Sequence, residues 1–344
     1  MVIDANMYWL PGKIFEDEDI KRRFLSSSKD FNIYAYEGIV EGSGKSQIIV
    51  EKPAGYQNLN YVDGDYMAEK QIEAMDRAGI DRAILKIPGC QEWLPLDLCK
   101  IFNTEMAEHV RRGGGRFIGL GTVPPVGDKE CIEELERCVK ELGMKGIQIV
   151  SHYGDKYLDH ESFSGFFDKV NELDIPVYVH HNPLPVQYDF LMEYNNLRRS
   201  YGRCSEQAIA IGREIFSGMF EKYPNLKFIH SMMGGGFFAL SNIMFPIQKD
   251  KIGEVSRFKT DNERNLKYLD QNIFFEISHA QPWGKIQMEA AVKILGKEKL
   301  IFGTSYPVKE EWLLEGVKFV EGLDISDEDK KALLGGNAEK VYNL

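Results

Sequence analysis

Eight short apolar runs, seven of them separated by helical patterns, constrain the fold of this chain more than any other feature. They fall at residues 1–11, 82–87, 117–123, 146–151, 176–181, 227–231, 273–278 and 300–305. Helical spacing covers 65–78, 96–112, 129–142, 161–173, about 194–222, 287–295 and 310–322, and a last helix, 327–342, closes the chain. Gly234-Gly235-Gly236 reads as the opening of one more helix. Ile132, Leu135, Val139 and Leu142 mark the apolar face of the third helix. Strands this continuously apolar are buried on both faces, as in a parallel sheet covered by helices. Eight such units predict a (β/α)8 TIM barrel whose site lies at the C-terminal strand ends. The alternative is an open doubly wound sheet, which a first strand running into G-x-G-x-x-G would favour; none does so here. With 344 residues and 43% hydrophobic content, the chain can bury one large core, so 1–344 is expected to be a single barrel domain.

Residues 12–63 interrupt this alternation. A charged segment, 15–24, precedes two strand-like runs, 33–40 and 47–52, joined by the turn Glu41-Gly42-Ser43-Gly44-Lys45. They are expected to form an insertion after strand one, with a hairpin-like segment folded over one end of the domain.

A net charge of −11 argues against nucleic acid or an anionic membrane as partner. No apolar run approaches the length that spans a bilayer. The chain opens directly on a strand pattern, and a cytoplasmic protein is expected. Its five cysteines form no C-x-x-C pair, so neither a disulfide framework nor a zinc knuckle is expected. Cys131 and Cys138 are seven apart on one helix face, where core packing is their expected role.

At the strand ends the polar residues carry the chemistry. Asn6 and Tyr8 are two apart and point to one face, into the mouth of a barrel. His180 and His181 are adjacent and point to opposite faces, and His230 precedes Met232 by two. Glu276 and Ser278 share a face of strand seven, with His279 on the other. Lys86 is a cation in an apolar run, either turned inward to a substrate carboxylate or snorkelling at the surface. Arg198, Arg199 and Arg203 begin the long helix after strand five. Among the aromatic residues, Tyr8 is the one expected to line the site.

Ile3-Asp4-Ala5-Asn6-Met7-Tyr8 with Pro11 has the layout of the I-D-x-H-x-H…P opening of the amidohydrolase superfamily, which two further stretches also resemble. The run Ile215 to Lys227, with Met232-Met233-Gly234-Gly235-Gly236, is similar to the branch containing aminocarboxymuconate semialdehyde and γ-resorcylate decarboxylases. Ile301-Phe302-Gly303-Thr304-Ser305-Tyr306-Pro307 and Leu334 to Lys340 resemble the end of that branch. The resemblance spans essentially the whole chain and implies a metal-dependent-hydrolase type of barrel, commonly a homodimer. It also implies a metal held by two histidines of strand one, a histidine ending strand five and an aspartate ending strand eight, with a catalytic histidine on strand six. The corresponding residues here are Asn6, Tyr8, His180, Ser305 and Met232, so one expected histidine is retained. Zinc takes about four thiolate, imidazole or carboxylate ligands, and the expectation is that no metal or other cofactor takes part.

The function expected is that of a metal-independent decarboxylase or hydrolase of a small carboxylated cyclic or aromatic compound. His180 would be its acid–base group and His230 its helper. Asn6, Tyr8, Ser305 and Met232 would face the substrate in place of the metal, with Arg203, Lys86 and Glu276 completing its contacts. The alternative is a non-catalytic binding or partner subunit that kept the barrel. A relocated metal on His180 and His230 with Glu276 or His279 is the third reading.

Overall fold

The computed structural model describes residues 1–246, 261–278 and 280–344. Eight parallel strands lie at Ile3–Tyr8, Arg82–Lys86, Phe117–Gly119 with Gly121–Thr122, Ile147–Val150, Pro176–His180, Lys227–His230, Ile273–Glu276 and Leu300–Ile301. Each pairs with the next. Strand eight returns to strand one through Ala5 N to Phe302 O at 2.8 Å and Ser305 N to Asn6 O at 2.7 Å. The eight runs therefore close into the expected barrel.

Alternation along the strands sorts two apolar layers. Val177, Val179, Phe228 and Phe275 face outward and join the helices in one core. Ile84, Ile118, Tyr178, Ile229 and Ile301 belong to a second cluster inside the barrel, plugged by Ala338, Val341 and Tyr342 of helix Asn337–Tyr342. Each fully buried side chain of this size contributes about 1.5–3 kcal/mol. A lumen filled in its lower half leaves its polar residues to the upper end.

The insertion holds the expected hairpin, Tyr34–Ile39 against Ser46–Glu51, and extends it. Helix Glu18–Ser27, capped by Asp17, leads into a three-stranded antiparallel sheet of Tyr34–Ile39, Ser46–Glu51 and Gln57–Val62. The third strand is rich in asparagine and glutamine, residue types depleted in strands, and carried no strand signal. It lies over the barrel mouth. A methyl group added at Gly89 would meet Leu59 Cδ1 of that strand at 3.1 Å and His180 Cε1 at 3.5 Å.

The glycine triplet opens no regular helix. Met232, Met233, Gly234, Gly235 and Gly236 all have φ between 52° and 83°, a left-handed run that only glycine adopts without cost. Helix Gly202–Phe216 explains the tightness, since a Cβ at Gly235 would lie 1.9 Å from Cys204 O. All five cysteines are free, and Cys131 and Cys138 are buried. Among the described residues no helix is long and apolar enough to cross a membrane.

Candidate active site

Above the apolar plug, side chains from five strands converge. Glu276 ends strand seven and is fully buried. Its Oε2 accepts from Asn6 Nδ2 at 2.8 Å and from Tyr178 OH at 2.9 Å, and its Oε1 accepts from Ser278 N at 2.5 Å. Asn6 Nδ2 also donates to Ser305 Oγ at 3.0 Å. This closeness depends on Gly303, where a Cβ would fall 2.0 Å from Glu276 Oε1 and 2.6 Å from Asn6 Cβ. Ser305 itself sits at φ 63°, a strained conformation kept at the end of strand eight.

Tyr8 OH lies 2.9 Å from His180 Nε2, and His180 Nδ1 lies 2.7 Å from His181 O. A carbonyl oxygen only accepts, so Nδ1 carries the hydrogen and, in the neutral ring, Nε2 accepts from the phenol. The phenol of Tyr8 thus donates to the imidazole of His180 inside the barrel. Burial raises the Tyr8 pKa, Glu276 adding to it, so the phenol keeps its proton at neutral pH. Burial pushes Glu276 up to about 6, with Lys86 the strongest influence holding it from going higher. Lys86, fully buried, has Nζ 3.4 Å from the centre of the Tyr178 ring and 4.9 Å from that of Tyr8. Burial takes its pKa well below the usual lysine range, against the pull of Glu276 and Asp4. Of the two readings left open for Lys86, the inward one is the one observed.

The rim carries the arginines. Arg203 Nη2 donates to Asn58 Oδ1 at 2.8 Å, Arg199 Nη1 to Gln57 O at 3.0 Å, and the Arg198 guanidinium lies 5.1 Å from the Tyr56 ring centre. Their contacts tie the third insertion strand to the segment after strand five. Burial, then Arg199, lowers the Arg203 pKa to about 10. Among the described residues none of the three pairs with a carboxylate.

Two sequence-derived placements are corrected. His230 does not reach the lumen. It shares the outward face of Phe228, with Nδ1 2.7 Å from Gln207 Oε1 and Nε2 2.8 Å from Glu214 Oε2, both on helix Gly202–Phe216. Met232 does not share its face, because the left-handed run begins at that residue and ends the alternation. The two adjacent histidines also depart from opposite faces: strand five stops at His180, and the rings stack with centres 4.3 Å apart. His279 lies outside the described residues. Tyr178 was missed, although its place two residues before His180 on a strand was signal enough.

Behind strand four lies a second buried cluster. Tyr157 OH donates to Glu206 Oε2 at 2.9 Å, and His152 Nε2 lies 3.9 Å from Glu206 Oε1. Burial raises Glu206 to about 8 and lowers His152 and His109 to about 4. A carboxyl that holds its proton more tightly when folded stabilises fully at low pH and loses that stabilisation as pH rises to its folded pKa. Below about pH 6.5 the two histidines act in the opposite sense, and Lys86, which holds its proton less tightly when folded, does so above it as well. The Glu206 contribution is therefore read as a difference: between about pH 6.5 and 8 the urea-unfolding stability of Glu206→Gln minus that of the unsubstituted protein should rise by about 1.4 kcal/mol per pH unit. A difference that stays flat or falls through this window would refute the account.

A family model described as amidohydrolase matches residues 73–344. The 2-amino-3-carboxymuconate-6-semialdehyde decarboxylase of Dictyostelium discoideum is 31% identical over 252 residues, covering 72% of this chain and 67% of its own length. The γ-resorcylate decarboxylase of Polaromonas sp. is 28% identical over 296 residues, covering 80% of this chain and 87% of its own. The 5-carboxyvanillate decarboxylase of Novosphingobium aromaticivorans, solved with manganese and 4-hydroxy-3-methoxy-5-nitrobenzoic acid, has TM-score 0.76 and 25% identity over 100% of this chain and 96% of that one.

That manganese overturns the expectation that no cofactor takes part: a divalent metal belongs to the chemistry of this chain's structural neighbours. The donor set described above does not fit one as it stands. His180 has both nitrogens engaged, Glu276 has both oxygens engaged, and the amine of Lys86 shares the lumen with them. Among the described residues no three His, Cys, Asp or Glu side chains come together as a ligand set. No step below is routed through a metal. The match from residue 73 to the C-terminus and the shared barrel lead to one conclusion: the chain belongs to the amidohydrolase family.

Proposed function

We propose that this protein is a decarboxylase of a small carboxylated aromatic or cyclic compound. The observation that carries the reading is the Tyr8–His180 pair, whose geometry delivers a proton into the lumen. Losing CO2 without oxidation replaces a carboxyl group by a proton on the same carbon. Protonated His180 donates from Nε2 to Tyr8 Oη while the phenol passes its own hydrogen to that carbon. The bond to the carboxylate then breaks, its electron pair returns to the ring, and Tyr8 is a neutral phenol again. Such a relay contributes roughly 10²–10⁴-fold in rate. Arg203 holds the anionic group, Asn6 and Ser305 offer hydrogen bonds, and Glu276 fixes Asn6 and Tyr178 in place. The names of the relatives favour decarboxylation over hydrolysis. A cytoplasmic homodimer completes the reading, supported by five free thiols and by the family resemblance.

The test is CO2 release from a panel of hydroxybenzoates and carboxylated methoxyphenols, read beside a thermal-shift assay of the same compounds. Turnover of any member supports the reading. Stabilisation without turnover favours the non-catalytic binding subunit, and neither response across the panel overturns it. Arg203→Gln should raise KM more than tenfold with a smaller change in kcat, since a charge-assisted contact to a carboxylate contributes about 1.5–3 kcal/mol. An unchanged KM would remove Arg203 from the substrate.

A further inference from the structure

Lys86 is the feature of the lumen that proton transfer leaves unexplained. Its side chain is 0% exposed, yet its Nζ has no hydrogen-bond partner among the described residues. Two carboxylates lie within electrostatic reach of it, and neither binds it. Asp4 accepts from Asn6 N at 2.9 Å, from Thr304 N at 3.0 Å and from Thr304 Oγ1 at 2.5 Å. Glu276 is taken by Asn6, Tyr178 and Ser278. A lysine kept for stability would pair with one of them, because an unpaired buried charge costs several kcal/mol. What surrounds Nζ instead is the faces of two phenol rings, Tyr178 and Tyr8, surfaces on which a neutral amine also rests. It ends strand two, one strand from Asn6 and Tyr8, on the polar layer that His180 and Glu276 complete.

We propose that Lys86 is a nucleophilic amine that captures the aldehyde or ketone of an oxo acid as an imine. This adds to the decarboxylase reading a substrate class, acids whose carbonyl lies two carbons from the carboxylate, and rests on that reading only for the loss of CO2. The Nζ lone pair bonds to the carbonyl carbon while the carbonyl oxygen takes a proton from the His180–Tyr8 relay. The resulting carbinolamine loses that oxygen as water and becomes a protonated imine. The carbon–carboxylate bond then breaks, its electron pair moves to the iminium nitrogen, and CO2 leaves. The enamine carbon takes a proton from Tyr8, and water hydrolyses the imine to free Lys86 and the product carbonyl. No oxidant or reductant enters. The depressed basicity of the buried amine supports the step, because only the unprotonated form attacks. With His180 protonated, the Tyr8 hydroxyl, held protonated by burial, can donate a hydrogen bond to the oxygen that develops charge.

The experiment traps the imine in the full-length protein with 3-oxobutanoate and cyanoborohydride at pH 7, read by peptide mass mapping. The expected result is an adduct at Lys86 at least tenfold more abundant than at any other lysine, absent in Lys86→Met and Lys86→Arg. Release of CO2 from 3-oxobutanoate should fall at least a hundredfold in both variants. The arginine variant keeps a cation in place, so a role limited to charge would survive there and the imine would not. An unmodified Lys86 beside labelled surface lysines overturns the proposal, as does wild-type CO2 release by either variant. The two readings fail separately. Aromatic acids turned over without any Lys86 adduct leave the decarboxylase standing, and an adduct without aromatic turnover leaves the imine standing.

Discussion

Replacing His180 by alanine is expected to lower kcat for decarboxylation by about 10²–10⁴-fold, the range for a positioned acid–base group. KM should change little, because the ring meets Tyr8 and the His181 carbonyl and leaves the arginines of the rim untouched. The loss would act through the phenol as well. Without Nε2, the Tyr8 hydroxyl has no acceptor at that position and no route by which to be reprotonated. A phenylalanine at position 8 should therefore lose rate by a similar factor, and the double variant should lose little more than either alone, as members of one relay do. Rates are to be compared per folded molecule, since an unpaired buried hydroxyl costs about 1–3 kcal/mol of stability. Full turnover by the His180 variant would end the assignment.

The second large effect is expected away from the lumen. His230 and Glu214 are buried together, 0% and 1% exposed at the side chain, and Gln207 takes the other ring nitrogen. Removing one member of such a pair strands its partner, at a cost of about 3–5 kcal/mol. For a chain of this length that is a fall in Tm of roughly 4–7 °C. His230→Ala should show that fall while keeping kcat per folded molecule close to the parent. A large drop in kcat with Tm unchanged would return His230 to the chemistry and refute the placement argued here.

The contrast between these two histidines shows how far the sequence could be read. Strand alternation is a local rule, and it placed Asn6 and Tyr8 on one face and Glu276 and Ser278 on another, while Tyr178 was missed and Lys86 left open although the same rule turns both inward. It failed at Met232 because the rule ends where the strand does, and a run of positive φ values begins at that residue. Once Met232 left the face, the inference that tied His230 to it had no support. The glycines at 234–236 read as a helix opening, and the two methionines that share their left-handed conformation carry no residue-type signal of it. The barrel was legible because eight apolar runs with helical spacers admit few alternatives. The cover of the mouth was less so, since a strand of Gln57, Asn58 and Asn60 looks like a loop until the Arg199 and Arg203 contacts are seen to hold it. The resemblance also served the fold better than the chemistry. It located the positions where ligands would stand, and the manganese of a neighbour corrected the inference drawn from their absence.

Those contacts at the rim also bear on timing. Arg199 and Arg203 grip the cover through one backbone carbonyl and one amide side chain, both neutral and both replaceable by water or by a passing carboxylate. If the rim binds the substrate's carboxylate as proposed, that anion competes for the same guanidinium groups that hold the third insertion strand, and entry of the substrate and release of the cover become a single event. Loss of neutral CO2 leaves the electron pair on the product, where the delivered proton quenches the charge, and the cover can settle again. The clock of such an enzyme would be set by how long the cover stays lifted, as much as by the bond that breaks beneath it.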